Sequence, residues 1–171
     1  MLRGWALTLV GLWLGLLLAS WFFAALNFRT VDRVLGPELR READERFAGV
    51  APAERRVLFR HLASESNRGM FGVLGAMQLV LALLVAALLW PEGGPTRVLG
   101  VAAAILLSAQ VFGLATPIVD LGRAIDFAPR PLPADVGRRF GLLHAAYVGG
   151  DLVKAGLLVT LAWRLARRAG A

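Results

Sequence analysis

Four stretches of the chain are apolar for far longer than a soluble helix or strand tolerates: Trp5–Leu26, Gly69–Trp90, Val98–Ile118 and Phe140–Trp163. Each exceeds 20 residues, and the first three carry no charge at all. At a rise of about 1.5 Å per residue, each covers the roughly 30 Å hydrocarbon core of a bilayer. A helix of a soluble protein keeps one polar face over such a length, and these stretches have none, so the pattern predicts four membrane-spanning helices. Trp5, Trp21, Trp90, Tyr147 and Trp163 lie mostly near the ends of the stretches, where amphipathic rings favour the headgroup region.

The polar segments between them complete the topology. Pro91–Arg97, with Pro91, Gly93, Gly94 and Pro95, predicts a tight turn that folds spans two and three into an antiparallel hairpin. The connection 27–68 is long and charged. Pro37 and Glu38 open one stretch running to Phe47, and Pro52, Ala53 and Glu54 open another that carries Val57, Leu58, His61 and Leu62 at helical spacing. These predict two short amphipathic helices at the interface, the second continuing into span two for want of a breaker before Gly69. Thr116, Pro117, Asp120 and Arg123 predict that span three ends in a break and a charged turn, with Asp120 and Arg123 as an exposed interfacial pair or, alternatively, as a pair at the mouth of the bundle interior where span four begins. Arg3 followed by an apolar run also resembles a signal peptide, but the run is too long and Trp21, Phe22 and Phe23 are too bulky for a cleavage site, so it is expected to remain as helix one. No repeat divides the chain, and the fold class expected for residues 1–171 is a single all-α membrane domain: an antiparallel four-transmembrane-helix bundle with an interfacial amphipathic segment between helices 1 and 2.

Composition agrees with this picture. Hydrophobic residues make up 57 % of the 171 residues and charged ones 18 %, against about 45–50 % and 25 % in soluble domains. There is no cysteine, which removes disulfides, thiolate nucleophiles and Cys-ligated metal. All but one of the 19 basic residues are Arg, an imbalance suggesting a GC-rich genome more than a function; the expected location of the multi-pass chain is a bacterial inner membrane. The termini and the tight turn carry five basic residues on one side, against thirteen in the long and medium connections on the other. The positive-inside rule therefore places the connections in the cytoplasm and both termini outside.

Placed on the spans, the charges become informative, because 29 of the 31 lie outside them and the exceptions are Asp151 and Lys154. With His144 and Tyr147 they sit at offsets of 3, 7 and 10 residues, which at about 100° per residue fall on one face of span four. Asp151 lies roughly 16 Å into that span by helical rise, near the bilayer midplane. A carboxylate there costs about 2.5–3.5 kcal/mol even on insertion scales, so it must face protein or water. Lys154, one turn away, is its natural partner, and the pair would fix the rotation of span four. The sharper alternative is a polar pathway, with Asp151 as a proton or cation site and His144 as its relay. Gln78 in span two and Ser108 and Gln110 in span three are candidate facing groups, and Asn67 returns to the face of Gln78 eleven residues on. Gly149 and Gly150, with Ala145, Ala146 and Ala155, allow close backbone approach around the stripe.

Other chemistry finds little support. His61 and His144 are the only histidines, and joining both to one haem would require the long connection to fold back by some 18 Å by helical rise. Copper on His144, Met70 and a carboxylate has no supporting motif. No zinc-protease, Walker or nucleophile-elbow motif occurs. No catalytic residue, resident metal or cofactor is expected. The Arg residues are interleaved with acids at membrane connections and point to headgroups, not nucleic acid. Expected partners are the lipid bilayer and other membrane subunits or further copies of the chain.

The order of these features resembles a family of four-span membrane proteins, the domain of unknown function 4149 family, which includes transmembrane protein 205-like proteins. The resemblance rests on Asn27, Phe28 and Arg29 after span one, the long polar segment leading into span two, the Pro-and-acid exit TPIVDLGR from span three, and FGLLHAAYVGGDLVK at the start of span four, similar to a F-x-x-x-H pattern. It implies a fold and a membrane location. Members have been linked in general terms to membrane handling of metals or metal drugs, which would favour a transporter. Asp151 and Lys154 fall outside the family pattern. The expected function is a non-catalytic structural, assembly or accessory membrane protein, with a small transporter or ion-conducting protein as the alternative and a haem- or copper-binding subunit third.

Overall fold

The computed structural model describes residues 2–37, 39–129 and 131–169. Among the described residues six α-helices follow in order: α1 (Leu2–Val34), α2 (Arg40–Arg46), α3 (Pro52–Leu89), α4 (Gly94–Ser108), α5 (Ala115–Asp126) and α6 (Ala134–Ala169), with a π-helical turn over Ala109–Leu114 joining α4 to α5. Among the described residues, four continuous helical rods are long and apolar enough to cross a membrane: Leu2–Val34, Pro52–Leu89, Gly94–Asp126 and Ala134–Arg167.

The boundaries follow local chemistry. No breaker interrupts α1 before Gly36 and Pro37. Pro52 stands in the first turn of α3, where its missing N–H costs nothing, and Glu54 beside it complements the positive end of the helix dipole. From there α3 runs unbroken through the second amphipathic stretch into span two, as its sequence predicts. The hairpin to α4 turns on Gly93 and Gly94, whose φ angles of 64° and 55° suit residues without a Cβ.

Span three departs from expectation. TPIVDLGR does not end it; the helix passes through Pro117 to Asp126. Proline removes an N–H and crowds the carbonyl four residues back, and just upstream the ladder has already widened, with the Ala115 N–H bonding to Gln110 O five residues back. The widened turn lies ahead of the proline, so the rod continues. The Asp120–Arg123 pair also fails to form as expected: Asp120 is exposed and Arg123 reaches across to Glu65, with its Nε 3.0 Å from Oε1.

α1 packs against α3 and α6, and α4 packs against the same two helices, so consecutive rods are antiparallel neighbours around a square. The inward positions recur at alternating intervals of four and three: Ala6, Val10, Trp13, Leu17 and Ser20 on α1; Thr96, Gly100, Ala103, Leu107 and Gln110 on span three; Asp151, Lys154, Leu158, Leu161 and Leu165 on α6. The apolar half of this seam, where Val10 and Trp13 meet Leu81, Val85, Leu107, Leu158 and Leu161, lies toward the termini. Leu83, Ile105, Phe112, Leu142 and Val153 point outward and are exposed, the belt expected of a lipid-facing surface. The chain is thus an all-α, multi-pass membrane protein with an antiparallel four-helix bundle.

At the terminal end of the bundle Arg3 pairs with Glu92 at 2.9 Å, Arg97 lies over the Trp90 ring and Arg167 over the Trp163 ring. These, with exposed Trp5, form an interfacial belt. Trp21 and Tyr147 do not join it; both turn inward. At the opposite end α2 packs on the first turns of α3 through an edge-to-face contact of Phe47 with Phe59 and a 2.8 Å bridge from Arg55 to Asp44.

Candidate functional site

The polar residues of span four divide at Tyr147. Below it, Asp151 and Lys154 are 3 % and 1 % exposed and occupy core positions of the seam. Lys154 Nζ donates to Asp151 Oδ1 at 2.8 Å and to Gln110 Oε1 at 2.8 Å. Gln110 Nε2 donates to the same Asp151 Oδ1 at 3.0 Å and to the Tyr147 carbonyl at 2.8 Å. The second carboxylate oxygen, Oδ2, accepts the indole N–H of Trp21 at 3.0 Å. Three rods are thereby tied at one level: α1 by Trp21, span three by Gln110, α6 by the ion pair.

Two backbone features make this layer fit. Gln110 stands within the π turn, which gives this stretch of backbone a pitch different from the α-helix around it. Gly150 lets the amide in, since a Cβ there would sit 2.8 Å from Gln110 Nε2. Gly149, by contrast, faces open space. A second tie lies one layer lower, where Trp13 donates its indole N–H to Gln78 Oε1 at 3.2 Å. Gln78 therefore belongs to this separate tie and not to the Asp151 cluster. Ser108 turns back onto its own helix, donating to Ala104 O at 2.9 Å.

Above Tyr147 the stripe lines a cavity of about 520 Å³ bounded by α1, α3, α5 and α6. Trp21, Phe71, Phe140, His144, Tyr147 and Asp151 are among its walls. Phe140 and His144 stack with ring centroids 6.0 Å apart, and Phe71 meets Tyr147 edge-on. The cavity extends from the level of Asp151 toward the long and medium connections. Asn67 lines it as well, tied to α1 by a 2.6 Å bond accepted from Asn27.

A charged network closes the outer end. Arg68 Nη1 bonds Glu65 Oε1 at 2.6 Å and Asp126 Oδ2 at 2.8 Å, His61 Nδ1 stands 2.8 Å from that same Oδ2, and Arg123 grips both oxygens of Glu65. Hydrogen bonds from Arg123 and Arg68 hold the Glu65 carboxyl down at about 2. Ligand atoms of His61, Glu65 and Asp126 converge within 4.8 Å, a spacing that suits a cation. Two guanidinium groups already occupy the carboxylates, so a metal would have to displace them. His61 and His144 fall into different settings, the first in the charged network and the second on the cavity wall.

Trp13, Glu65, Arg68 and Asp126 are participants that the sequence reading left out, and Trp21 and Asn27 were named there with no part in the site. Trp13 carried a signal, because it falls on the four-three spacing of α1. Trp21 carried none, since its role depends on which helix lies opposite. Compared with protein-family models, curated proteins and solved structures, the chain matches none.

Proposed function

We propose that the chain is a non-catalytic structural or accessory protein of a bacterial inner membrane, in which the Asp151–Lys154–Gln110 layer locks the rods in register. One observation carries this reading: both oxygens of Asp151, and both polar ends of Gln110, are spent on neighbours within the layer. A permeant cation or proton would have to break a buried, charge-balanced network to enter, and a buried pair deprived of one partner costs several kcal/mol. The likeness of TPIVDLGR and FGLLHAAYVGGDLVK to the domain of unknown function 4149 family is part of the same proposal, as are cytoplasmic connections and outward termini. The test is proton and monovalent cation leak in liposomes holding the purified chain. No flux above empty liposomes is expected. A flux that Asp151→Asn abolishes while the protein remains folded would replace this reading with the transporter one.

A further inference from the structure

Beyond the locking role of the ion pair, the cavity above it has the makings of a binding site, and three features define its ligand. The volume, about 520 Å³, lies within the range of small-molecule sites, roughly 300–1,000 Å³. The walls are largely apolar and rich in flat rings, with Trp21, Phe71, Phe140 and Tyr147 contributing. Trp21 is held in place by its bond to Asp151, so that wall is formed before any ligand arrives. The site lies at membrane depth, from the level of Asp151 outward, which favours a ligand that partitions into the lipid phase.

The third feature is the balance of charge and hydrogen bonding. At the inner end Asp151 is neutralised by Lys154 and both its oxygens are occupied. At the outer end Arg68 is neutralised by Glu65 and Asp126. Neither end therefore selects a charged ligand. Among the described residues, the Tyr147 hydroxyl and the His144 ring, both on cavity-lining residues, take part in no hydrogen bond, and Arg68 uses only Nη1. Its Nη2 lies close to Gly122, where a Cβ would come within 3.0 Å of it. Most of the free capacity is donor capacity, on α3 and on α6, so a ligand gains most by bringing acceptors on both sides of an apolar ring. We infer that the cavity binds an uncharged, membrane-soluble ring compound with opposed carbonyls, a molecule of the quinone class.

The experiment is equilibrium binding to the purified full-length chain in nanodiscs, using a benzoquinone with a decyl tail. Decylbenzene, which shares the ring and the decyl chain, and palmitate, which offers only an alkyl chain and a carboxylate, serve as comparators that lack the paired carbonyls. Saturable, one-to-one binding of the quinone is expected, with decylbenzene and palmitate failing to compete. Tyr147→Phe and His144→Ala should each weaken it about fivefold, the effect of one lost hydrogen bond of about 1 kcal/mol. Ala25→Phe, which fills the cavity, should abolish it; Ala24→Leu replaces that variant if it does not fold. Absence of saturable binding overturns the inference. Equal binding of palmitate or decylbenzene, or indifference to both the Tyr147 and His144 variants, overturns it too, because the site would then not recognise the paired carbonyls. Ion leak and quinone binding are read separately, so the locking proposal and this one fail independently.

Discussion

A charged pair near the centre of a membrane is tolerable only where its neighbours supply what water would have supplied. Asp151 receives three hydrogen bonds from three different side chains, and Lys154 is balanced in return. Its charge and offset from Lys154 make the pair legible in the sequence, because helical geometry alone brings residues three apart together. Trp21 is different. An indole in an apolar run reads equally well as an interfacial anchor, and only the packing of α1 on α6 turns it toward Asp151. Trp21→Phe removes that donor and leaves Oδ2 without a partner, for an expected loss of about 1–3 kcal/mol in unfolding measured in mild detergent. Gly150→Ala places a methyl against the Gln110 amide and is expected to cost about 1–3 kcal/mol by the same measurement, whereas Gly149→Ala, facing open space inside a helix, is expected to be neutral to stabilising by up to about 1 kcal/mol. At the charged mouth Glu65 titrates near 2 in the folded state, below its ordinary value of 4.5. A lowered carboxylate stabilises the fold fully above the unfolded value, and that contribution fades as pH falls from about 4.5 toward 2. Glu65→Gln is therefore expected to flatten the stability profile across that window, as measured by thermal unfolding at stepped pH.

Among the elements, the spans were legible because a bilayer accepts only long apolar segments with their backbone satisfied internally. The continuity of α3 was legible for the same kind of reason, since nothing between Pro52 and Trp90 stops a helix. The third rod was not. Pro117 with two nearby charges reads as a terminus when each residue is judged alone, and a π turn has no local signature to set against it. Its consequence is measurable: removing one residue from 109–114 would restore the α-helical pitch and carry the residues of the turn itself to new angular positions. Deletion of Val111 is expected to disturb the placement of Gln110 against Asp151 and to lower the unfolding midpoint more than Pro117→Ala does. Equal effects of the two changes would mean that the widened turn has no part in holding the polar layer.

Across the whole molecule the bundle has two unlike halves. Toward the termini, apolar side chains fill the seam and aromatic rings with Arg mark the interface. Toward the connections, the rods separate around a cavity, with the polar layer at its floor and the Arg68–Glu65–Asp126 network at its mouth. Antiparallel order could be read from the tight turn and the number of spans, whereas the cavity could not, because it depends on how far α1, α3, α5 and α6 stand apart. The polar layer marks the division, and its role in locking the bundle is the central claim. The most direct measurement is a cycle of unfolding free energies for the unaltered chain, Asp151→Asn, Lys154→Met and the double variant in one detergent. Each single change strands a buried group and is expected to cost on the order of 3–5 kcal/mol, while the double variant recovers most of that loss. Single variants as stable as the unaltered chain, or a double variant whose loss is the sum of the two, would contradict it.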